Sequence, residues 1–149
     1  MFEFLETTID KFTFRVPTDR RYSSEGIWAQ EVGGRIRIGL TDFLQQRSGD
    51  VAFAELKAAG TALKTGDEFG TIETIKVNIS LTSPINGKVV EVNPAMETAP
   101  EAINQDPYGE GWLALLEPAD WAADRAALLD PQAYFTLMRG QAEAEAKKP

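Results

Sequence analysis

Through most of the chain, apolar and polar residues alternate with a period of two, and helical spacing takes over only near the end. Phe12, Phe14 and Val16 alternate with Lys11, Thr13 and Arg15, which predicts a strand with one buried face. Residues 17–21, Pro-Thr-Asp-Arg-Arg, break it with turn chemistry. An apolar patch at Ile27, Trp28 and Ala29 predicts a second strand within 22–30. Gly33-Gly34 reads as a hairpin turn, after which Ile36, Ile38 and Leu40 form an inward row. Thr41 or Asp42 caps a short helix over 43–47 that Ser48-Gly49 ends, and residues 51–56 alternate again. The first ten residues set no clear period and are expected to form a frayed helical turn or a tail.

The rest of the chain is organised around residues 70–89. Two alternating segments, 71–75 and 77–81, flank Lys76 with no Gly or Pro between them, so two strands meet at a tight turn with Lys76 at its tip, in water. Residues 83–87 supply another turn, where Asn86-Gly87 suits positive φ. A strand over 88–93, a short helix over 94–103, a polar loop over 104–111 and a strand over 112–116 follow. Beyond Pro118, Ala and Leu predict helices over 120–129 and 131–147, the second with Asp130 as its cap and Pro131 in first position. Closely spaced Gly60, Gly66 and Gly70 suit brief strands turning around a small sandwich or barrel. The expected organisation is an N-terminal extension and first strand over 1–21 and a β domain over 22–118. C-terminal helices over 119–149 would pack on that same domain, their last residues frayed.

Composition narrows the chemistry. At 149 residues the chain suits one domain able to bury a core without staples. No apolar run is long and pure enough to cross a bilayer, and the first six residues are acidic where a signal peptide would be basic, so a soluble, cytoplasmic protein is expected. Cys and His are both absent, which removes the thiol nucleophile, the imidazole base and the common soft metal ligands. A net charge of −8 argues against nucleic-acid binding and against adsorption to an anionic membrane. Asp42, Asp50, Glu55, Asp67, Glu73 and Asp106 supply carboxylates, but none falls in a context that specifies a cleft or a calcium loop. The glycines sit in turns and lead into no phosphate-binding helix. Trp28, Trp112 and Trp121 suit core or rim, since the basic groove that accompanies base stacking is missing. No catalytic residue and no metal ligand is assigned.

What remains is Lys76. A β domain that lacks redox and nucleophilic groups but presents one lysine on a hairpin suits a carrier, whose lysine is acylated with a cofactor that does the chemistry. The sequence resembles the glycine cleavage system H-protein family in five ordered blocks: GLTDF at 39–43, GDVAFAEL at 49–56, ETIK at 73–76, SPINGKVVEVN at 83–93 and NQDPYGEGWL at 104–113. The similarity runs from about Trp28 to the C-terminus. It implies a barrel-sandwich hybrid of the lipoyl-domain class, mostly β in two small antiparallel sheets, with short inserted helices and C-terminal helices. It also implies lipoate in amide linkage on Lys76, installed by a lipoate ligase or a lipoyl/octanoyl transferase that reads the hairpin and a nearby acid such as Glu73. In the implied cycle the carrier shuttles an aminomethyl group and reducing equivalents between glycine decarboxylase, aminomethyltransferase and dihydrolipoamide dehydrogenase, with no turnover of its own.

The chain departs from the family pattern in places. Gly26-Ile27-Trp28 stands where members commonly have His-Glu-Trp, and Val77, Asn78, Ile79 and Ser80 follow the lysine where Ala, a small residue and an acid are usual. These positions surround the arm, so a paralogue serving another lipoate-dependent pathway, such as sulfur oxidation with heterodisulfide-reductase-like proteins, is the alternative. A biotinyl carrier fits less well, because Ile75 and Val77 flank the lysine in place of methionines. An interaction domain that keeps the fold and carries no cofactor is the remaining class.

Overall fold

The computed structural model describes residues 3–147. In chain order the elements are β1 (Phe4–Ile9), β2 (Phe12–Pro17), β3 (Arg21–Tyr22), β4 (Ile27–Val32), β5 (Arg35–Leu40), α1 (Asp42–Ser48), β6 (Val51–Leu56), β7 (Ala62–Leu63), β8 (Glu68–Thr74), β9 (Asn78–Thr82), β10 (Gly87–Val92), α2 (Ala95–Thr98), α3 (Ala102–Gln105), β11 (Ala114–Pro118), α4 (Trp121–Ala127) and α5 (Pro131–Ala146). The fold is mostly β, with small antiparallel sheets, short inserted helices and C-terminal helices. No helix is long and apolar enough to cross a membrane.

Two sheets form the sandwich. One has six strands in the order β3-β4-β5-β11-β10-β7, the other three in the order β6-β8-β9. Alternation gives each an inward row: Ile36, Ile38 and Leu40 on β5 meet Phe69 and Ile72 on β8 and Leu81 on β9 in one buried core. Each such side chain, fully buried, contributes about 1.5–3 kcal/mol through removal of apolar surface from water.

A second core lies outside the sandwich. Phe14, Val16, Tyr22, Trp28, Phe43, Tyr134, Phe135 and Met138 pack together, joining β2, β3, β4, α1 and α5. Trp28 is fully buried, with its indole N–H donating to the Pro107 carbonyl at 3.0 Å.

The first ten residues are neither a helical turn nor a tail. β1 pairs antiparallel with β2 from Phe4 opposite Pro17 to Ile9 opposite Phe12, forming a two-stranded sheet of its own. Leu5, Thr7 and Ile9 are half-buried and alternate with exposed Phe4, Glu6 and Thr8, so the period of two is present. A threonine on the inner row and a phenylalanine on the outer one hide it. Asp10 turns the hairpin at φ 56°, a conformation Asp tolerates better than most residues.

Two other expectations are corrected. The helix over 94–103 is split into α2 and α3, because Ala99 precedes Pro100 and is driven out of helical geometry to φ −146° and ψ 60°. Gly87 does not adopt positive φ; it opens β10, where an added Cβ would lie 2.6 Å from the Glu117 carbonyl oxygen. Asn86 acts through its polar groups, its backbone N–H and side-chain amide donating to the two Asp124 carboxylate oxygens at 2.9 and 3.0 Å. This ties α4 to the sandwich. α5 begins as expected, with Asp130 accepting from the Ala133 N–H at 2.8 Å and Pro131 in its first turn. The end over 141–149, expected to fray in solvent, is instead helical through Ala146, with Ala142 buried in the second core; Lys148 and Pro149 fall outside the described residues.

Candidate functional site

β8 and β9 pair from Glu68 opposite Thr82 to Glu73 opposite Asn78, leaving Lys76 exposed on the connecting turn. The strands are shorter at the tip than the alternation implies, since Ile75 and Val77 belong to the turn. No glycine is required because Thr74 closes the turn with its side chain. Its Oγ1 accepts from the Lys76 N–H at 3.1 Å and the Val77 N–H at 3.0 Å, while the Thr74 N–H donates to the Val77 carbonyl at 2.8 Å. A hydroxyl thus stands in for the carbonyl that a backbone turn would use.

The turn is anchored from beneath by α1. The Thr74 hydroxyl donates to the Ser48 carbonyl at 2.7 Å, with the Val77 carbonyl at 3.0 Å as its other acceptor, and the Ile75 N–H donates to the Asp50 carbonyl at 3.3 Å. Gly49 lies between these contacts at φ 91° and ψ −172°, a backbone region that is essentially glycine's alone. A Cβ there would meet Lys76 Cδ at 3.4 Å, so the aliphatic stem of the lysine lies along the glycine backbone. Asn104 holds this segment from the other side. Its amide donates to the Gly49 carbonyl and to Gln45 Oε1, both at 3.0 Å, and its oxygen accepts from the Val51 N–H at 2.9 Å.

Lys76 has no ion-pair partner among the described residues. Loss of its charge would therefore give up no ion pair among the described residues. Ile75, Val77 and Phe53 are 77%, 46% and 67% exposed, which puts apolar shoulders on the tip. Glu73, also exposed, stands opposite Phe53 and Asn78 in the sheet. No hydrogen bond or ion pair joins Glu73 to Lys76 among the described residues. On its other side Lys76 lines a cavity of about 250 Å³ between the β1–β2 hairpin and the end of α5.

Three of the other candidate carboxylates do structural work. Asp42 accepts from the Arg15 N–H, Asp67 from the Lys64 N–H and Asp106 from the Glu110 N–H at 3.0, 2.8 and 2.9 Å. Titration is displaced at tyrosines of the second core. Burial pushes the Tyr134 hydroxyl up to about 12, against the lowering effect of its hydrogen bond with Thr41. Burial also raises Tyr22, outweighing the nearby Arg20 charge. Tyr108 keeps part of its ring in solvent, but its hydroxyl is enclosed between the Arg15 carbonyl at 2.6 Å and the Asp42 N–H at 2.9 Å, and burial raises it too.

Of the two residues singled out by sequence, Lys76 stands at the tip and Glu73 on the adjoining sheet face. Thr74, Ser48, Gly49 and Asn104 carry the geometry of the tip, a role the sequence reading does not give them; it has Ser48-Gly49 only as the end of a helix. The available signal was a threonine two positions before the lysine and a Ser-Gly pair at the end of a short helix.

The family model for the glycine cleavage H-protein matches residues 20–141. A glycine cleavage system H protein from Anaeromyxobacter sp. strain K is 45% identical over 126 residues, covering 85% of this chain and 98% of its own. One from Bacteroides fragilis is 43% identical over 122 residues, covering 82% and 96%. The crystal structure of a glycine cleavage system H protein from Mycobacterium marinum superposes with a TM-score of 0.71 at 30% identity, covering 81% of this chain and 97% of that one. Ordered blocks, sandwich topology and lysine hairpin therefore have one common source: the chain belongs to the glycine cleavage H-protein family.

Proposed function

We propose that this protein is the lipoyl carrier of a glycine cleavage system. Lys76 takes lipoate in amide linkage and shuttles an aminomethyl group and reducing equivalents between partner enzymes. The observation that carries this reading is the placement of one exposed lysine, without an ion-pair partner among the described residues, at the tip of a hairpin fixed by Thr74 and α1. Bound there, lipoate supplies the disulfide–dithiol couple that a chain without cysteine lacks.

The protein's own residues bind and orient. Thr74 holds the lysine backbone, and Gly49 leaves room for the lysine stem. The exposed side chains of Ile75, Val77 and Phe53 offer apolar contact to an enzyme that approaches the tip. Glu73, on the sheet face beside them, gives a lipoate ligase or lipoyl/octanoyl transferase a charged point of register. Glycine decarboxylase, aminomethyltransferase and dihydrolipoamide dehydrogenase are the enzymes the arm then serves, and the protein performs no turnover itself. The relatives named above are all glycine cleavage proteins, which favours this pathway over the sulfur-oxidation alternative.

The test is intact mass of the protein expressed beside a working lipoylation system. One lipoyl adduct is expected, and it is absent in Lys76→Arg. Native protein that stays unmodified overturns the reading. Reconstitution with the three partner enzymes then checks the pathway, since a modified carrier that receives no aminomethyl group belongs to another system.

A further inference from the structure

We propose that the cleft beside the edge strand β3 binds a small organic phosphate carrying a flat ring, of the nucleoside monophosphate class. No residue of the β8–β9 hairpin lines this cleft, so the site is independent of the lipoyl reading. Its volume of about 370 Å³ is within the range of small-molecule sites. Three of the chain's eight arginines, Arg20, Arg21 and Arg125, line it, and no lysine does.

Arg21 occupies a place that the sheet fills elsewhere with apolar side chains. It stands opposite Ala29, Ala29 opposite Ile38 and Ile38 opposite Ala114, so its side chain leaves the sheet on the core-facing side. The other three are buried in the first core, whereas Arg21 is half-buried and has no ion pair among the described residues. A partly desolvated guanidinium without a counter-ion costs free energy that an anion from outside recovers. Its backbone is fixed, because Tyr22 and Leu129 exchange N–H to carbonyl bonds at 3.0 and 2.8 Å, fastening β3 to the segment between α4 and α5. Arg125 comes from α4, which Asp124 ties to Asn86, and it too has no ion pair among the described residues. Two cations on anchored backbones thus line one cleft, where an anion relieves their mutual repulsion. Arg20 adds no net charge, since its buried guanidinium pairs with Asp19 at 2.8 Å and lies 4.7 Å from the Trp28 ring.

The remaining walls narrow the ligand. Two forked cations suit phosphate, whose oxygens accept paired hydrogen bonds from guanidinium groups. A net charge of −8 disfavours a polyanion, which would meet acidic surface beyond the cleft, so a small molecule with one phosphate is selected. Trp121 is half-buried and gives the cleft a flat apolar wall for a ring. Glu31 is exposed on the same rim, without an ion pair among the described residues, and can accept from a hydroxyl or an amino group. A nucleoside monophosphate brings phosphate, hydroxyls and ring together.

The test titrates full-length protein with adenosine monophosphate and, separately, with inorganic phosphate, followed by NMR of the backbone amides and the tryptophan indole N–H groups. Adenosine monophosphate at millimolar concentration should shift the resonances of Arg21, Arg125 and Trp121. Inorganic phosphate should bind about tenfold more weakly, because it has no ring to place on Trp121. Arg21→Ala and Arg125→Ala should each weaken nucleotide binding about tenfold, the loss expected for one charge-assisted pair. Arg21→Lys keeps the charge without the fork and should restore part of it. Arg125 is exposed on a helix, where alanine is well tolerated, so lost binding in that variant is not lost folding. Arg35→Ala, on the same sheet but outside the cleft and paired with Glu117, should bind as wild type does. No shift at Arg21, Arg125 and Trp121, binding that survives Arg125→Ala, or inorganic phosphate bound as tightly as the nucleotide overturns the site. None of these results bears on the modification of Lys76.

Discussion

Thr74→Val removes one oxygen from the site and nothing from its volume. In the native turn that oxygen accepts from two backbone N–H groups, at 3.1 and 3.0 Å, and donates to the buried Ser48 residue's carbonyl at 2.7 Å. A net hydrogen bond contributes roughly 1 kcal/mol, and a buried partner left unsatisfied costs about 1–3 kcal/mol. The two N–H groups belong to exposed residues and recover water, whereas the Ser48 carbonyl does not, so the expected loss is about 2 kcal/mol. For a chain of 149 residues each kcal/mol shifts the midpoint by about 4 °C, giving a fall of roughly 5–10 °C in Tm by calorimetry. The same variant should accept lipoate from a ligase several-fold more slowly, measured by intact mass against time, because the lysine no longer has a fixed turn beneath it. Thr74→Ser, which keeps the hydroxyl, should stay near wild type in both assays. Thr74→Val with unchanged Tm and unchanged modification rate would show that the side chain does not hold the turn.

Three further outcomes follow from the same geometry. Gly49→Ala forces a β-carbon onto φ 91° and ψ −172° and should cost about 1–3 kcal/mol in chemical denaturation, so a variant as stable as wild type contradicts the assignment. Glu73→Gln should slow lipoylation without moving Tm, since Glu73 is exposed; an unchanged rate removes it from recognition. All three tyrosines have hydroxyls raised by burial, Tyr134 to about 12. The folded protein then holds protons that the unfolded chain releases near pH 10. Stability is therefore at its full value below pH 10 and falls as pH rises toward 12, by up to about 1.4 kcal/mol per pH unit for each tyrosine. Tyrosinate absorbance should appear only together with unfolding, and a gradual titration near pH 10 in folded protein refutes the burial argument.

Much of the fold could be read from residue order alone. Ile36, Ile38 and Leu40 announced their face, Gly33-Gly34 its turn, and Asp130-Pro131 the start of α5, because each signal is local. Lys76 was legible for the same reason, lying between two alternating segments. β1 was missed because its face carries Leu5, Thr7 and Ile9, and a threonine in the middle breaks the apolar count even though the backbone pairs fully with β2. The grip on the lysine was missed for a different reason. Thr74, Ser48 and Asn104 meet only after β8, α1 and α3 have been placed, and separations of 26 and 55 residues leave no trace in a periodicity. Asn86-Gly87 shows the converse error, where a familiar turn dipeptide was set by the closeness of β11 and by Asp124.

α1 gives Phe43 to the second core at one end and Ser48 and Gly49 to the lysine turn at the other. The seven residues of α1 therefore link the second core to the turn that bears Lys76. The terminal hairpin and α5, which pack in one core with Phe43, thus connect through one short helix to the turn of Lys76, although neither segment is part of the hairpin that bears it. Substitutions in those two segments therefore have a packed route to the Lys76 turn that leaves the sandwich and the lysine as they are.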